Sequence, residues 1–149
     1  MDEQKPKTLV SAEKNADVSR AVRQWLNTYP DKPLSKLDFE WLGEKSGLCI
    51  STIQAAYKTK QFIDGSYQAQ YQFKLIYRVP AKNADDRMSA DEVLDAYGAW
   101  AEANTGSLTI ADGIRVRKVK RDTAAALFAR YEGDVEDHQI LLTLIYEVI

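Results

Sequence analysis

The chain has 149 residues, 20 basic and 22 acidic, for a formal charge of −2, so it carries no bulk attraction for nucleic acid or anionic membrane. Its hydrophobic share of 45% excludes a disordered chain, and its length fits one domain of ordinary size. The single cysteine, Cys49, excludes an intrachain disulfide and a thiolate-rich metal site and suits a reducing cytoplasm.

Residues 1–10 read as a flexible tail, poor in apolar anchors and interrupted by Pro6, without the apolar stretch of a signal peptide. No later apolar run approaches the ~20 residues that a membrane-spanning helix needs. Residues 11–149 read as a single α+β domain. Its first element is a helix, because Val18, Val22, Trp25, Leu26 and Tyr29 recur at helical spacing opposite Arg20, Arg23 and Gln24. Pro30 and Pro33 close it.

From Lys36 the period changes to two. Leu37, Phe39 and Trp41 alternate with Lys36, Asp38 and Glu40, which predicts a half-buried strand. A turn over 43–47 leads to a second strand over 50–57. After Asp64-Gly65 the alternation is clearest: Tyr67, Ala69, Tyr71, Phe73, Leu75, Tyr77 and Val79 line one face, with Ile76 the exception on the other. Ser89-Ala90-Asp91-Glu92 has the pattern of a capping box and predicts a second helix starting there, with Val93, Leu94, Tyr97, Trp100 and Ala101 as its apolar stripe and a stop at Asn104-Thr105-Gly106. Strands over 114–120, 124–131 and 140–148 follow, read as an antiparallel meander. The last is apolar on both faces, which predicts cover on both sides. The fold class is therefore α+β, an antiparallel or mixed sheet packed with two main helices.

Candidate chemistry is sparse. His138, the only histidine, stands beside Glu136 and Asp137, but neighbours on a strand point to opposite faces, so a structural histidine is the expectation. Cys49 has only Lys45 close by in sequence to lower its pKa and reads as a small buried residue. Asp85 and Asp86, and Glu132, Asp134, Glu136 and Asp137, lack calcium-loop spacing and read as solvated charge. No phosphate-loop, dinucleotide or nucleophile-elbow motif occurs. No catalytic, cofactor-binding or metal residue is assigned.

Two features point to contacts with other molecules. The run Ile114–Arg121 holds Arg115, Arg117, Lys118, Lys120 and Arg121, and strict alternation puts Arg115, Arg117 and Arg121 on one side and Lys118 and Lys120 on the other. Such a stripe serves either as a surface for DNA or an acidic partner, or as a charged edge that blocks unwanted strand pairing. Tyr146, Val148 and Ile149 close the apolar last strand and are the expected subunit contact. Tyr57, Tyr67, Tyr71 and Tyr77 are core residues first and interface residues second.

In the order and pattern of these segments the chain resembles the minor capsid and tail-terminator (tail-completion) proteins of bacteriophages and prophages. The likeness covers about residues 15–149. It lies in the helix Val18–Tyr29 ending in Tyr-Pro, the tyrosine-rich strand Tyr67–Tyr77, the helix Ser89–Asn104 and the closing hairpin through Ile140–Ile149. The resemblance implies a virion protein, assembled in the bacterial cytoplasm, that forms a ring, often a hexamer, at the head-proximal end of the tail tube. Its implied partners are copies of itself, the tail-tube protein and the neck or connector, with DNA passing nearby and no membrane. The alternatives are a head–tail connector or minor capsid protein, a non-viral oligomerisation module and, last, a small-molecule-binding α+β enzyme.

Overall fold

The computed structural model describes residues 12–149, with the side chains of 12–15, Ala55 and Tyr57 outside the described set. The tail expected at residues 1–10 lies outside the described residues. Helix α1 (Ala12–Leu26) is followed by β1 (Asp38–Phe39), β2 (Gly47–Gln61), β3 (Tyr67–Pro80), α2 (Ala84–Ala103), a single 3-10 turn, β4 (Ile114–Arg121), β5 (Ala126–Tyr131) and β6 (Val135–Val148). Two helices on a mixed sheet make this an α+β fold, as the patterning requires.

The sheet runs β1-β2-β3-β6, and both β4 and β5 pair with the remaining edge of β6. All pairs are antiparallel except β1 with β2. The last three strands are therefore not a simple meander: β4 takes the 142–148 half of β6 and β5 takes the 135–139 half. At 14 residues β6 is long enough to serve both.

Register explains the core. Ala69, Tyr71, Phe73 and Leu75 on β3 align with Tyr146, Leu144, Leu142 and Ile140 on β6, and all eight are fully buried beneath the helices. The opposite face of β6 carries Leu141 and Ile145, which are only partly buried. The cover expected on both sides of β6 is thus complete on the helix side alone. Ile76, the break in the β3 alternation, faces away from the helices between Cys49 and Gln139.

α1 ends at Leu26, but two tight turns (Thr28 N–H to Trp25 O, Tyr29 N–H to Leu26 O) keep Tyr29 on the buried side. There Tyr29 meets Tyr97 and Trp100 at ring-centroid distances of 4.5 and 5.2 Å, and Trp25 stacks on Trp100 at 5.4 Å. These rings join α1 to α2.

Several boundaries differ from the patterning: β2 runs over Gly47–Gln61 where 50–57 was expected, β5 starts at Ala126 where 124 was expected, and β6 starts at Val135 where 140 was expected. The strand predicted over 36–41 shrinks to two residues because Glu40 takes a positive φ of 55° and ends the alternation. Leu37 is buried, while Phe39 and Trp41 are exposed. The Glu40 carboxylate then accepts hydrogen bonds from Ser51 Oγ at 2.7 Å and Thr52 N–H at 2.8 Å. α2 starts five residues before Ser89. Its N-cap is Asn83, whose side chain accepts from Asp86 N–H at 3.0 Å, while Asp86 accepts from Lys82 N–H at 2.9 Å. The free N–H groups of the first turn therefore lie just after Asn83, and the N–H groups that Ser89 and Glu92 were expected to cap fall inside the helix.

Candidate functional site

The basic run forms the edge strand β4, but its side chains divide differently from strict alternation. A β-bulge between Val116 and Lys118 inserts Arg117 as an extra residue. Arg115, Lys118 and Lys120 consequently align with Glu147, Ile145 and Thr143 on the helix-free face. Arg121 aligns with Leu142 on the helix face, with Val116 and Val119, and so parts from Arg115. The bulge lets Val119 reach the core while the cations stay in solvent.

Most of this charge is answered within the fold. Glu147 lies 3.8 Å from Arg115 and 3.5 Å from Arg117, and Asp122 lies 3.8 Å from Lys120. Arg121 folds onto α2, where its Nε donates to Glu102 Oε1 at 2.9 Å and its backbone N–H to Glu102 Oε2 at 2.9 Å. Among the described residues Lys118 alone of the five makes no ion pair. The arrangement fits an edge protected against strand pairing better than a surface of open cations for a phosphate backbone.

The expected subunit contact is also divided. Tyr146 is fully buried in the chain's own core, so its side chain is not available to a neighbour; a tyrosine on the helix side of the central strand has nowhere else to go. Val148 is half-buried against that core, and only Ile149 is well exposed, its backbone N–H donating to Gly113 O at 2.8 Å. Tyr71 is likewise core, bonded to Thr52 Oγ1 at 2.8 Å, while Tyr67 and Tyr77 are half-buried.

His138 sits in a charge cluster that local sequence does not announce, its ring and Glu136 buried and Arg87, Asp91 and Arg130 reaching solvent. Its ring is fully buried, with Nδ1 2.7 Å from Asp91 Oδ1 and Nε2 3.2 Å from Glu136 Oε1. Arg87 Nε donates to Glu136 Oε2 at 2.6 Å and Arg130 Nε to the same oxygen at 3.1 Å. Burial alone raises the Glu136 pKa, but hydrogen bonds from Arg87, His138 and Arg130 outweigh it and hold the carboxyl below its ordinary range. Asp137 points to the other face, where Arg78 donates to both its oxygens at 2.7 and 2.8 Å and Tyr131 Oη donates at 2.9 Å. Arg78 in turn stacks under the Tyr131 ring at 4.8 Å.

The cluster is closed chemically. Both ring nitrogens of His138 are engaged, no substrate atom can reach a ring with no exposed surface, and the two arginines put positive charge where a cation would have to sit. His138 is not among the residues that line the cavity formed by Tyr77, Val79, Asp86, Ser89 and Val93. Among the described residues no group of three or more His, Cys, Asp or Glu side chains is placed to hold a metal ion. The cluster ties α2 (Arg87, Asp91) to β5 (Arg130) and β6 (Glu136, His138), a structural task. Cys49 is buried on the opposite face. Desolvation, aided by the negative charge of Glu40, pushes its thiol up to about 11, away from nucleophilic use.

Nine large hydrophobic side chains are exposed among the described residues, Met88, Phe128, Tyr131 and Ile149 among them. Phe39, Trp41, Ile53, Phe62 and Ile63 are large hydrophobic side chains open to solvent, all on the β1–β2 side of the sheet or at the β2–β3 turn. No protein-family model and no curated protein matches the chain. No helix among the described residues is long and apolar enough to cross a membrane.

Proposed function

We propose that the chain is a structural assembly protein of a phage virion. In this reading it forms a ring-like homo-oligomer that caps the head-proximal end of the tail tube and docks to the neck, and it carries no catalytic step. One observation supports it most: the buried charged groups Glu136, Asp137 and His138 are spent on ion pairs and hydrogen bonds within the fold, while nine large apolar side chains stand exposed among the described residues, five of them on or beside β1, β2 and the β2–β3 turn. Exposed apolar surface of this kind is stabilised by a protein partner. The order of helix, tyrosine-rich strand, capped helix and closing strands, from which the resemblance to tail terminators came, adds the particular assembly.

The test is a tube-growth assay. Purified chain is added to polymerising tail-tube protein, and tube lengths are measured by negative-stain electron microscopy. The reading expects shorter tubes with extra density at one end. Unchanged tube lengths with no bound density would overturn it, and binding to isolated neck or connector complexes in the same experiment would shift the assignment to a connector role.

A further inference from the structure

The chain contains two Asp-Gly pairs, Asp64-Gly65 and Asp112-Gly113, and both lie in exposed turns. Each glycine takes a positive φ, 91° at Gly65 and 80° at Gly113. A glycine after an aspartate has no Cβ to shield its backbone nitrogen from the neighbouring carboxyl. The two pairs therefore share sequence, exposure and glycine conformation, and they differ in hydrogen bonding.

At Asp64-Gly65 both reacting groups are engaged. Asp64 Oδ1 accepts from Ser66 N–H at 3.0 Å and from Ser66 Oγ at 2.6 Å, and Gly65 N–H donates to Phe62 O at 3.1 Å. The Ser66 hydroxyl and amide hold the Asp64 carboxyl below its ordinary pKa, and an ionised carboxylate is a poor electrophile. At Asp112-Gly113 the turn closes one residue later, with Ile114 N–H donating to Ala111 O at 3.2 Å. Gly113 is then the third residue of its turn, the position whose N–H the turn does not use. Among the described residues neither the Asp112 carboxylate nor the Gly113 N–H has a hydrogen-bond partner.

We infer that Asp112-Gly113 is a modification site, the place where the folded chain isomerises to isoaspartate while the bonds of its own turn hold Asp64-Gly65 back. The Gly113 nitrogen attacks Asp112 Cγ and gives up its proton to solvent. One carboxyl oxygen leaves as water, and a succinimide closes. Water then opens that ring. Cleavage of the new bond to Cγ restores aspartate, and cleavage of the original peptide bond leaves the chain running through Cβ and Cγ, with a free α-carboxylate. One water is lost and one is taken up, nothing is oxidised or reduced, and the product keeps the parent mass. The added backbone atom falls where β4 begins. There Gly113 O accepts from Ile149 N–H at 2.8 Å and Ile114 pairs with Val148, so the change loosens this end of β4 from β6.

The test is ageing of the purified full chain at neutral pH and physiological temperature. Tryptic peptides are then separated, and electron-transfer fragmentation distinguishes isoaspartate from aspartate. Trypsin places Asp64 and Asp112 in separate peptides. In folded protein, conversion at Asp112 should exceed that at Asp64 several-fold. In urea, which releases both turns, the two rates should converge. Ser66→Ala, at an exposed turn, should speed conversion at Asp64 in the folded chain and leave Asp112 unchanged. Equal conversion at the two sites in folded protein, or faster conversion at Asp64, would overturn the assignment. A difference that persists undiminished in urea would do the same, since it would belong to local sequence and not to the fold.

Discussion

The phenol of Tyr97, in the middle of α2, donates to the carbonyl oxygen of Leu26, the last residue of α1, at 2.5 Å. One side chain thereby closes the C-terminal end of the other helix, where carbonyls lack partners within the helix. Tyr97 is fully buried, and desolvation, with the nearby Tyr29, raises its pKa far above the ordinary tyrosine value. It remains a neutral donor throughout the accessible pH range.

Tyr97→Phe keeps the ring stack and removes only the hydroxyl. It should cost about 0.5–1.5 kcal/mol, because the Leu26 carbonyl loses this donor but keeps its bond from Tyr29 N–H. Urea unfolding of the parent and variant would read the difference, and equal midpoints would show that the bond contributes nothing.

The carboxylate of Glu136 gives a pH dependence with a definite sign. Its folded pKa lies below the ordinary value, so its contribution is present above the unfolded pKa and is lost as pH falls through the folded one. Stability should therefore decline below about pH 4.5, and Glu136→Gln should be less stable at neutral pH yet flatter in the acid limb. Denaturant midpoints at a series of acid pH values would check this; parallel curves for parent and variant would remove Glu136 from the acid response.

Gly98 marks a close approach of α2 to the sheet. A Cβ built there would come within 2.8 Å of Ile140 Cδ1 and 2.7 Å of Arg121 Cδ. The arginine can move, but Ile140 is fully buried. Gly98→Ala gains up to about 1 kcal/mol of helix propensity and meets about 1–3 kcal/mol of overpacking, so a net loss is expected. Adding Ile140→Val should recover part of it. A stabilised single variant, measured by thermal unfolding, would refute the close approach.

The elements that could be read from sequence were those whose pattern is set by one dominant neighbour. The alternation of β3 survives intact because one sheet face is dry, and the stripe of α2 survives because one helix face is packed. Several readings failed for reasons that no local window holds. Glu136 and Asp137, expected as solvated charge, are buried and paired with arginines from other elements. The positive φ of Glu40 cuts short the first predicted strand. The Arg117 bulge reassigns the faces of the basic run, since inserting one residue inverts every later side chain. Tyr146 carries a polar group into the core, where its hydroxyl finds no hydrogen-bond partner among the described residues, a burial that residue type alone argues against. For the charge cluster, the i, i+4 spacing of Arg87 and Asp91 was available as a hint that both share a helix face. Their partners Glu136 and His138 lie more than forty residues on, and only the tertiary fold brings them together.

The position of β6 at the centre of the sheet also governs when the fold can form. It is the last of the six strands in chain order, yet β3, β4 and β5 all depend on it for pairing. A nascent chain on the ribosome that has emerged only as far as Val135 holds the β2–β3 hairpin and α2 but no strand to join them to β4 and β5. Until β6 emerges, the Tyr71–Leu75 edge waits unpaired and open to chaperones or to mispairing. Productive folding is therefore tied to completing the synthesis of β6.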